Sequence, residues 1–371
     1  MSTATRKSPL TDWTVLVPVV ALVALVFSWG RELPSFGVAL VALCLAGAVL
    51  AAVHHAEVVA HRVGEPFGSL VLAVAVTVIE VALIVTLMVD GGDKTASLAR
   101  DTVFAAVMIT CNGIVGLSLF VGALRNRVAV FNAEGSGAAL ATVATLATLS
   151  LVLPTFTTSK PGPEFSTAQL TFAAVASLAL YGLFIGVQTI RHRSYFLPVE
   201  PASPNGAADG GGDDEAERPT PRAALISVGL LLVALVAVVG DAKSVSPTIE
   251  KGVAEAGLPN AVVGVIIALL VLLPETLAAV RAARRDRVQT SLNLAYGSSI
   301  ASIGLTIPAI ALASVWLSGP LLLGLGPTHM VLLALTVVVS ALTIAPGRAT
   351  LLQGGVHLVL LAAYLFLAVS P

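Results

Sequence analysis

Apolar stretches alternate with short polar ones along nearly the whole chain, and the apolar stretches are too long for the core helices of a soluble protein. A span needs about 20 mostly apolar residues to cross a hydrocarbon core roughly 30 Å thick. Eleven stretches qualify: 13–29, 35–53, 67–89, 102–124, 138–153, 167–190, 223–240, 259–280, 288–316, 321–344 and 349–369. The fifth is short and the ninth has a polar start. Arg6 and Lys7 precede the first run in the manner of a leader, but no small-residue cleavage pattern follows Trp29, so it reads as a retained helix. Of the 20 Lys and Arg residues, 14 fall in the N-terminus and alternate loops and 6 in the others. Positive-inside then puts the N-terminus in the cytoplasm and, after eleven crossings, the C-terminus outside.

Composition agrees with the pattern. The 371 residues are 57% hydrophobic and 11% charged, with a mean hydropathy of +0.95. A soluble domain is about one quarter charged, so a soluble enzyme, a disordered scaffold and a nucleic-acid binder are all excluded. The 20 basic and 21 acidic residues cancel. Cys44 and Cys111 both lie in apolar stretches, which leaves neither a disulfide framework nor a metal knuckle. The longest polar segment, 191–222, holds five prolines, Gly210-Gly211-Gly212 and the acids Asp213, Asp214, Glu215 and Glu217. It reads as a flexible acidic cytoplasmic linker, a solvated tether in preference to a cation sensor.

That linker divides two similar halves. Residues 1–34 carry the first helix, 35–190 five helices, and 223–371 five more. Gly64-Glu65-Pro66 followed by an apolar run into Ile79-Glu80-Val81 is matched by Gly257-Leu258-Pro259 and a run into Pro274-Glu275-Thr276. Thr110-Cys111-Asn112-Gly113 on the fourth span corresponds to Tyr296-Gly297-Ser298-Ser299 on the ninth. Five is odd, so the second copy crosses in the opposite sense. The expected architecture is an all-α polytopic membrane protein of about eleven helices, one N-terminal helix plus two inverted five-helix repeats, with a site where the copies meet.

Within the eleven stretches there is no Lys, Arg or Asp, and there are two glutamates, Glu80 and Glu275, at equivalent places. A charge at the helix centre costs about 2.5–3.5 kcal/mol. With no cationic side chain inside the spans, each glutamate is expected to hold a proton or an exchangeable cation; a neutral Glu hydrogen-bonded to its neighbours is the competing reading. Pro274 removes a backbone donor and frees carbonyl oxygens beside Glu275. Asn112, Ser298, Ser299, Thr77 and Thr276 supply neutral oxygens suited to hard cations such as Ca2+ or Na+. Gly113 and Gly297 would let backbones approach closely, and small-residue helix packing is the alternative account of the same residues. Desolvation and mutual repulsion both favour the protonated acids. Two protons, one Ca2+ or one or two monovalent ions can balance the pair, which is the logic of antiport.

These motifs resemble the ChaA-type proton antiporters of the calcium/cation antiporter superfamily. The likeness is carried by His55-Ala56-Glu57 leading into Gly64-Glu65-Pro66-Phe67-Gly68, by Ile79-Glu80-Val81, Pro274-Glu275, Asn293-Leu294 and Gly297-Ser298, and by the C-terminal Gly347-Arg348 and Ala362-Ala363-Tyr364-Leu365. The resemblance implies two inverted repeats with ion ligands from the third, fourth, eighth and ninth helices, Glu80 and Glu275 as the central acidic ligands, and exchange of cytoplasmic Ca2+ or Na+, in some relatives K+, for external protons. It implies no cofactor beyond the transported ions, no nucleic-acid partner and residence in a bacterial cytoplasmic membrane. One departure stands out. Where many relatives carry Gly-Asn before each glutamate, this chain has Val76-Thr77 and Val271-Leu272, so fewer side-chain oxygens surround the ion and Na+ or K+ has room as cargo.

Other polar residues have plainer readings. His54, Glu57 and His61 share a helix face and, with His55, could sense pH or hold a metal, but a solvated interfacial helix is favoured. Glu65 could guide cations or protons, or be an exposed helix-end charge. Asp90, Asp93 and Asp101 would form an acidic external rim. His329 and His357 read as packed histidines. A passive cation channel using the same glutamates is the alternative function; an intramembrane enzyme is not supported, since no catalytic constellation lies at membrane depth.

Overall fold

In a bilayer the backbone can satisfy its hydrogen bonds only internally, so apolar segments of this length fold as helices. The computed structural model describes residues 12–31, 33–64, 67–91, 96–199, 219–259, 261–316 and 319–371. Among them lie α1 (Trp13–Ser28), α2 (Ser35–Val63), α3 (Phe67–Gly91), α4 (Leu98–Asn126), α5 (Ala133–Phe156), α6 (Thr167–Arg191) and α7 (Pro221–Glu255). Next come α8a (Ala261–Val271) and α8b (Leu273–Arg284), then α9 (Val288–Ala313), α10 (Pro327–Ile344) and α11 (Leu351–Val369). Taking α8a and α8b as one broken span, the described helices match the eleven expected stretches, and the protein is an all-α polytopic membrane protein.

Local chemistry sets several ends. Asp12 caps α1, its carboxylate accepting from the Thr14 N–H at 3.2 Å, and that bond holds the exposed acid below the usual carboxylate range. Ser166 with Gln169 and Thr350 with Gln353 form capping boxes at α6 and α11. Pro327 opens α10 six residues later than the expected 321, because 319–326 instead runs as a bonded loop.

Two boundaries correct the sequence reading. The stretch 223–240 was bounded by the polar run Asp241-Ala242-Lys243-Ser244, yet α7 continues through it to Glu255. α4 likewise starts at Leu98 and carries Asp101 on its first turn. Both are therefore helical acids that a hydropathy boundary had placed in loops. α2 runs on to Val63, so the His54–His61 segment is its last turns. The segment after α6 also departs from the expected free tether at its start. Residues Arg193–Phe196 form a single 3₁₀ turn, with Phe196 against Phe184 and its carbonyl accepting from Asn293 Nδ2.

The chain divides into two compact units, Met1–Leu87 with Asp214–Gly252 and Met88–Asp213 with Val253–Pro371. Each half read as a repeat is thus shared between them. In the first unit α1 packs along α2. Leu25 of α1 occupies the space over Gly240 of α7, and Val38 and Val41 of α2 meet Val245. His55 is buried, its ring nitrogens on the Thr14 carbonyl (2.9 Å) and Ser227 Oγ (3.3 Å). That geometry makes His55 a bridge of α2 to α1 and α7 and not the solvated residue expected of an interfacial helix.

In the second unit α4 is the central post. A Cβ on Gly264 of α8a would lie 3.0 Å from the Thr102 nitrogen, and one on Gly354 of α11 would lie 2.6 Å from the Phe120 nitrogen. α9 crosses α6 with Gly304 against Tyr181, α5 packs alongside, and α8b joins from the other end. Hydrogen bonds between loops respect the crossing order. The α3–α4, α5–α6 and α9–α10 loops are tied together through Leu322 N to Ala96 O and Gly324 N to Pro163 O, both 3.0 Å. The α4–α5 loop joins the α10–α11 loop through the two-residue antiparallel pairing Ala129↔Ala349 and Val130↔Arg348, with β1 at Ala129–Val130 and β2 at Arg348–Ala349. It joins the α8–α9 loop through Asn126 Nδ2 to Asp286 Oδ1 at 2.6 Å. Every tie links loops separated by an even number of helices, as it must if each helix crosses once.

The Gly354 seam yields a test. Gly354→Ala should lower the thermal midpoint of the detergent-solubilised protein by the equivalent of about 1–3 kcal/mol of overpacking. Gly355→Ala, whose Cβ meets no atom within 4 Å, should leave the midpoint unchanged. Thermal unfolding monitored by fluorescence compares the two.

Candidate functional site

Glu80 lies in the middle of α3 at 4% exposure, with Thr77 buried one turn before it. α3 has no proline and runs unbroken. Both residues belong to the first unit.

The second unit holds Asn112, Gly113, Pro274, Glu275, Thr276, Gly297, Ser298 and Ser299, and it brings three of their elements together. The middle of α4 widens into a π-helical segment, Ile109–Ile114, every residue of it buried. The Thr110 hydroxyl donates to the carbonyls of Ala106 (2.8 Å) and Val107 (3.1 Å), a side-chain competition for helix acceptors that accompanies the widening. Asn112 and Gly113 sit here. α8 breaks at Leu272 and turns by 51°. Pro274 has no N–H to return to the Leu270 carbonyl, which accounts for the break. Glu275 follows in the first turn of α8b at 8% exposure, where the positive end of the helix dipole favours a carboxylate. The Thr276 hydroxyl donates back to the Leu272 carbonyl at 2.7 Å. On α9, Ser299 is buried and faces the Cys111 thiol, while Ser298 is half-buried beside it. The π segment, α8b and α9 all pack on one another.

Asn112 has structural work the sequence did not disclose. Its Nδ2 donates to Thr336 Oγ1 of α10 at 2.9 Å. Its Oδ1 faces His357 Nδ1 of α11 at 3.1 Å, and His357 Nε2 faces Thr343 Oγ1 at 3.3 Å. An amide oxygen cannot donate, so Nδ1 carries the hydrogen and Nε2 accepts from the threonine. His357 is thus the packed histidine expected, and His329 is another, lying against the rings of Phe104 (4.9 Å) and Tyr364 (6.4 Å). Gly113 is a packing residue as well, with Leu361 3.1 Å from where its Cβ would stand. Gly297 has no such neighbour within 4 Å, so no close backbone approach requires it.

Glu57 is half-buried on α2 in the first unit. Glu65 and Asp93 lie outside the described residues, as does the side chain of Asp90. Asp101 is not part of an acidic rim. It is buried, paired with Arg100 Nε at 2.8 Å and accepting from Ser97 Oγ at 2.9 Å. Among the residues the sequence reading passed over, Ser302 and Thr306 continue the buried polar face of α9 below Ser299 at helical spacing. The signal was there in the i, i+3, i+7 positions. Thr336, Thr343 and His357 had no local signal.

A helix bundle with a proline-broken span and a buried acid beside the break is the arrangement of a secondary transporter. Comparison with known proteins agrees. The family model for the sodium/calcium exchanger protein matches residues 33–190 and 226–370, and the chain belongs to that family. It is 45% identical to a protein of Sinorhizobium fredii named only as an ionic transporter, over 99% of this chain and 98% of that one. It is 35% identical to the sodium-potassium/proton antiporter ChaA of Escherichia coli over 95% of each. The crystal structure of the H+/Ca2+ exchanger CAX shares the fold, with a TM-score of 0.67 at 16% identity over 95% of this chain and 86% of that one. The resemblance read from the motifs is borne out.

The Asn112 network predicts non-additivity. Asn112→Ala and His357→Ala should each lower stability by about 1–3 kcal/mol, because each strands a buried partner. The double variant should cost less than their sum by about 0.5–3 kcal/mol. A double-mutant cycle on denaturation midpoints in detergent measures the difference.

Proposed function

We propose that the protein is a secondary-active cation/proton antiporter in which Glu80 and Glu275 bind cation or protons in competition. It would exchange cytoplasmic Ca2+ and/or Na+, with K+ a further candidate cargo, for external H+ by alternating access between two inverted repeats. What carries the reading is a buried glutamate on each of two membrane helices, Glu80 on α3 and Glu275 at the break of α8, in a chain of the sodium/calcium exchanger family. The ChaA relative, whose name includes sodium, potassium and protons, and the CAX structure, whose name pairs H+ with Ca2+, support the cargo class from two sides.

The chemistry asks little of the protein beyond supplying and withholding charge. A carboxylate in a dry site is stable only when a proton or a cation compensates it. A site that cannot reorient empty exchanges one load for the other. The end of α8a contributes carbonyl oxygens freed by Pro274, α8b contributes Glu275 and Thr276, and Ser298 and Ser299 add hydroxyls. Thr77 is placed to do the same for Glu80. In this reading the protein resides in a bacterial cytoplasmic membrane with its N-terminus inside, its C-terminus outside and the 191–222 segment in the cytoplasm.

Reconstitution into liposomes with an imposed pH gradient tests this. Adding Ca2+, Na+ or K+ in turn should dissipate the gradient for the cargo ions. Glu80→Gln and Glu275→Gln should each slow that dissipation by at least about tenfold, the equivalent of ~1.4 kcal/mol or more of lost ion stabilisation. Cation flux indifferent to the proton gradient would identify a channel instead. Full exchange in both variants would remove the glutamates from the mechanism.

A further inference from the structure

One further acid lies buried in the first unit. Asp241, on α7, has 0% of its surface exposed, and neither carboxylate oxygen makes a hydrogen bond among the described residues. Ala237, Val238, Ala242 and Val245 around it on α7 are buried. α1 covers it on one side, with Leu25 filling the space above the adjacent Gly240. α2 covers it on another, bringing Cys44 close enough for its thiol to feel the carboxylate.

The charges that could neutralise an anion here are few. α1 has no ionisable side chain between Trp13 and Ser28. On α2 the next ionisable residue after Cys44 is His54, about 15 Å further along the helix at 1.5 Å per residue. Lys243 is two positions on, which points it to another side of α7. It is exposed with its ammonium 5.9 Å from the Trp29 ring centre, and Asp241 accepts no hydrogen bond from it. Glu80, on α3 of the same unit, makes none to it either. A bare carboxylate in such surroundings is disfavoured, whereas the neutral acid is tolerated.

We infer that Asp241 is a proton-binding site, a carboxyl held as the neutral acid within the α1–α2–α7 packing and separate from the cation site. Its proton leaves only when these helices part far enough to admit water, so the packing of this unit is linked to proton concentration. The inference does not rest on the exchange proposed above, and its test requires no transport.

Infrared spectroscopy of the full chain in lipid reads the acid directly. In a Glu80→Gln/Glu275→Gln background, a protonated-carboxyl C=O band that shifts in D2O should be present at neutral pH and vanish on Asp241→Asn. If Asp241→Asn instead removes only ionised-carboxylate bands at neutral pH and below, Asp241 is a held anion and the inference fails. Carbodiimide labelling of the wild-type chain gives an answer even if the variant does not fold. The acid O–H adds across one C=N bond, and the O-acylisourea rearranges by an O-to-N acyl shift to a stable N-acylurea, with no leaving group. Mass spectrometry should place this adduct on Asp241, its yield falling about tenfold per pH unit once the proton is lost. An unmodified Asp241 in a sample whose Glu80 or Glu275 is labelled would overturn the assignment.

Discussion

The cost of keeping an ionised carboxylate out of water organises this molecule. At about 2.5–3.5 kcal/mol on the lenient insertion scale for a helix-centre position, a bare anion at Glu80, Glu275 or Asp241 would consume a large share of the 5–15 kcal/mol by which a folded protein typically survives. A carboxyl group so placed is stable as the neutral acid or beside a compensating charge. Glycine seams such as Gly264 of α8a against Thr102 and Gly354 of α11 against Phe120 leave no room for even a methyl group between the helices of the second unit.

The two halves meet this constraint in different ways. Glu80 sits on a continuous α3, with the buried Thr77 one turn before it. Glu275 sits at the start of α8b, after a 51° break, where Pro274 leaves the Leu270 carbonyl without its helix donor. The N-terminal turn favours the carboxylate and the preceding C-terminal turn offers carbonyls to a cation. One proline makes the difference. The two glutamates thus differ in their backbone surroundings.

The helices were legible in the sequence because their signal is local: a run of some twenty apolar residues forms a helix in a bilayer whatever else surrounds it. Glu80 and Glu275 were legible for the same reason, each as a single charge in such a run. Asp241 was not, because Asp241-Ala242-Lys243-Ser244 looks like a span ending, and the packing of α1 and α2 on α7 is what buries the acid within a continuing helix. His55 misled in a similar way. Its polar neighbours suggest an interfacial helix, while its actual partners, Thr14 and Ser227, are distant in sequence. Asn112 reads from the sequence as a source of a neutral oxygen, but its partners Thr336 and His357 lie 224 and 245 residues away, beyond the reach of any spacing rule.

That last network limits what Asn112 offers an ion. An amide oxygen has two lone pairs, and one is committed to His357 Nδ1–H. Its NH2 group is committed to Thr336, which fixes which end of the amide faces His357. His357 in turn is held in one tautomer by Thr343, since only Nε2 is left to accept from that hydroxyl. The side chain is thereby locked at both ends, so the oxygen cannot turn to follow an ion that moves. Any cation contact at Asn112 must use the remaining lone pair in the orientation that α10 and α11 impose. The polar residues of α10 and α11 therefore hold the Asn112 side chain still, and a change at His357 would return freedom to it.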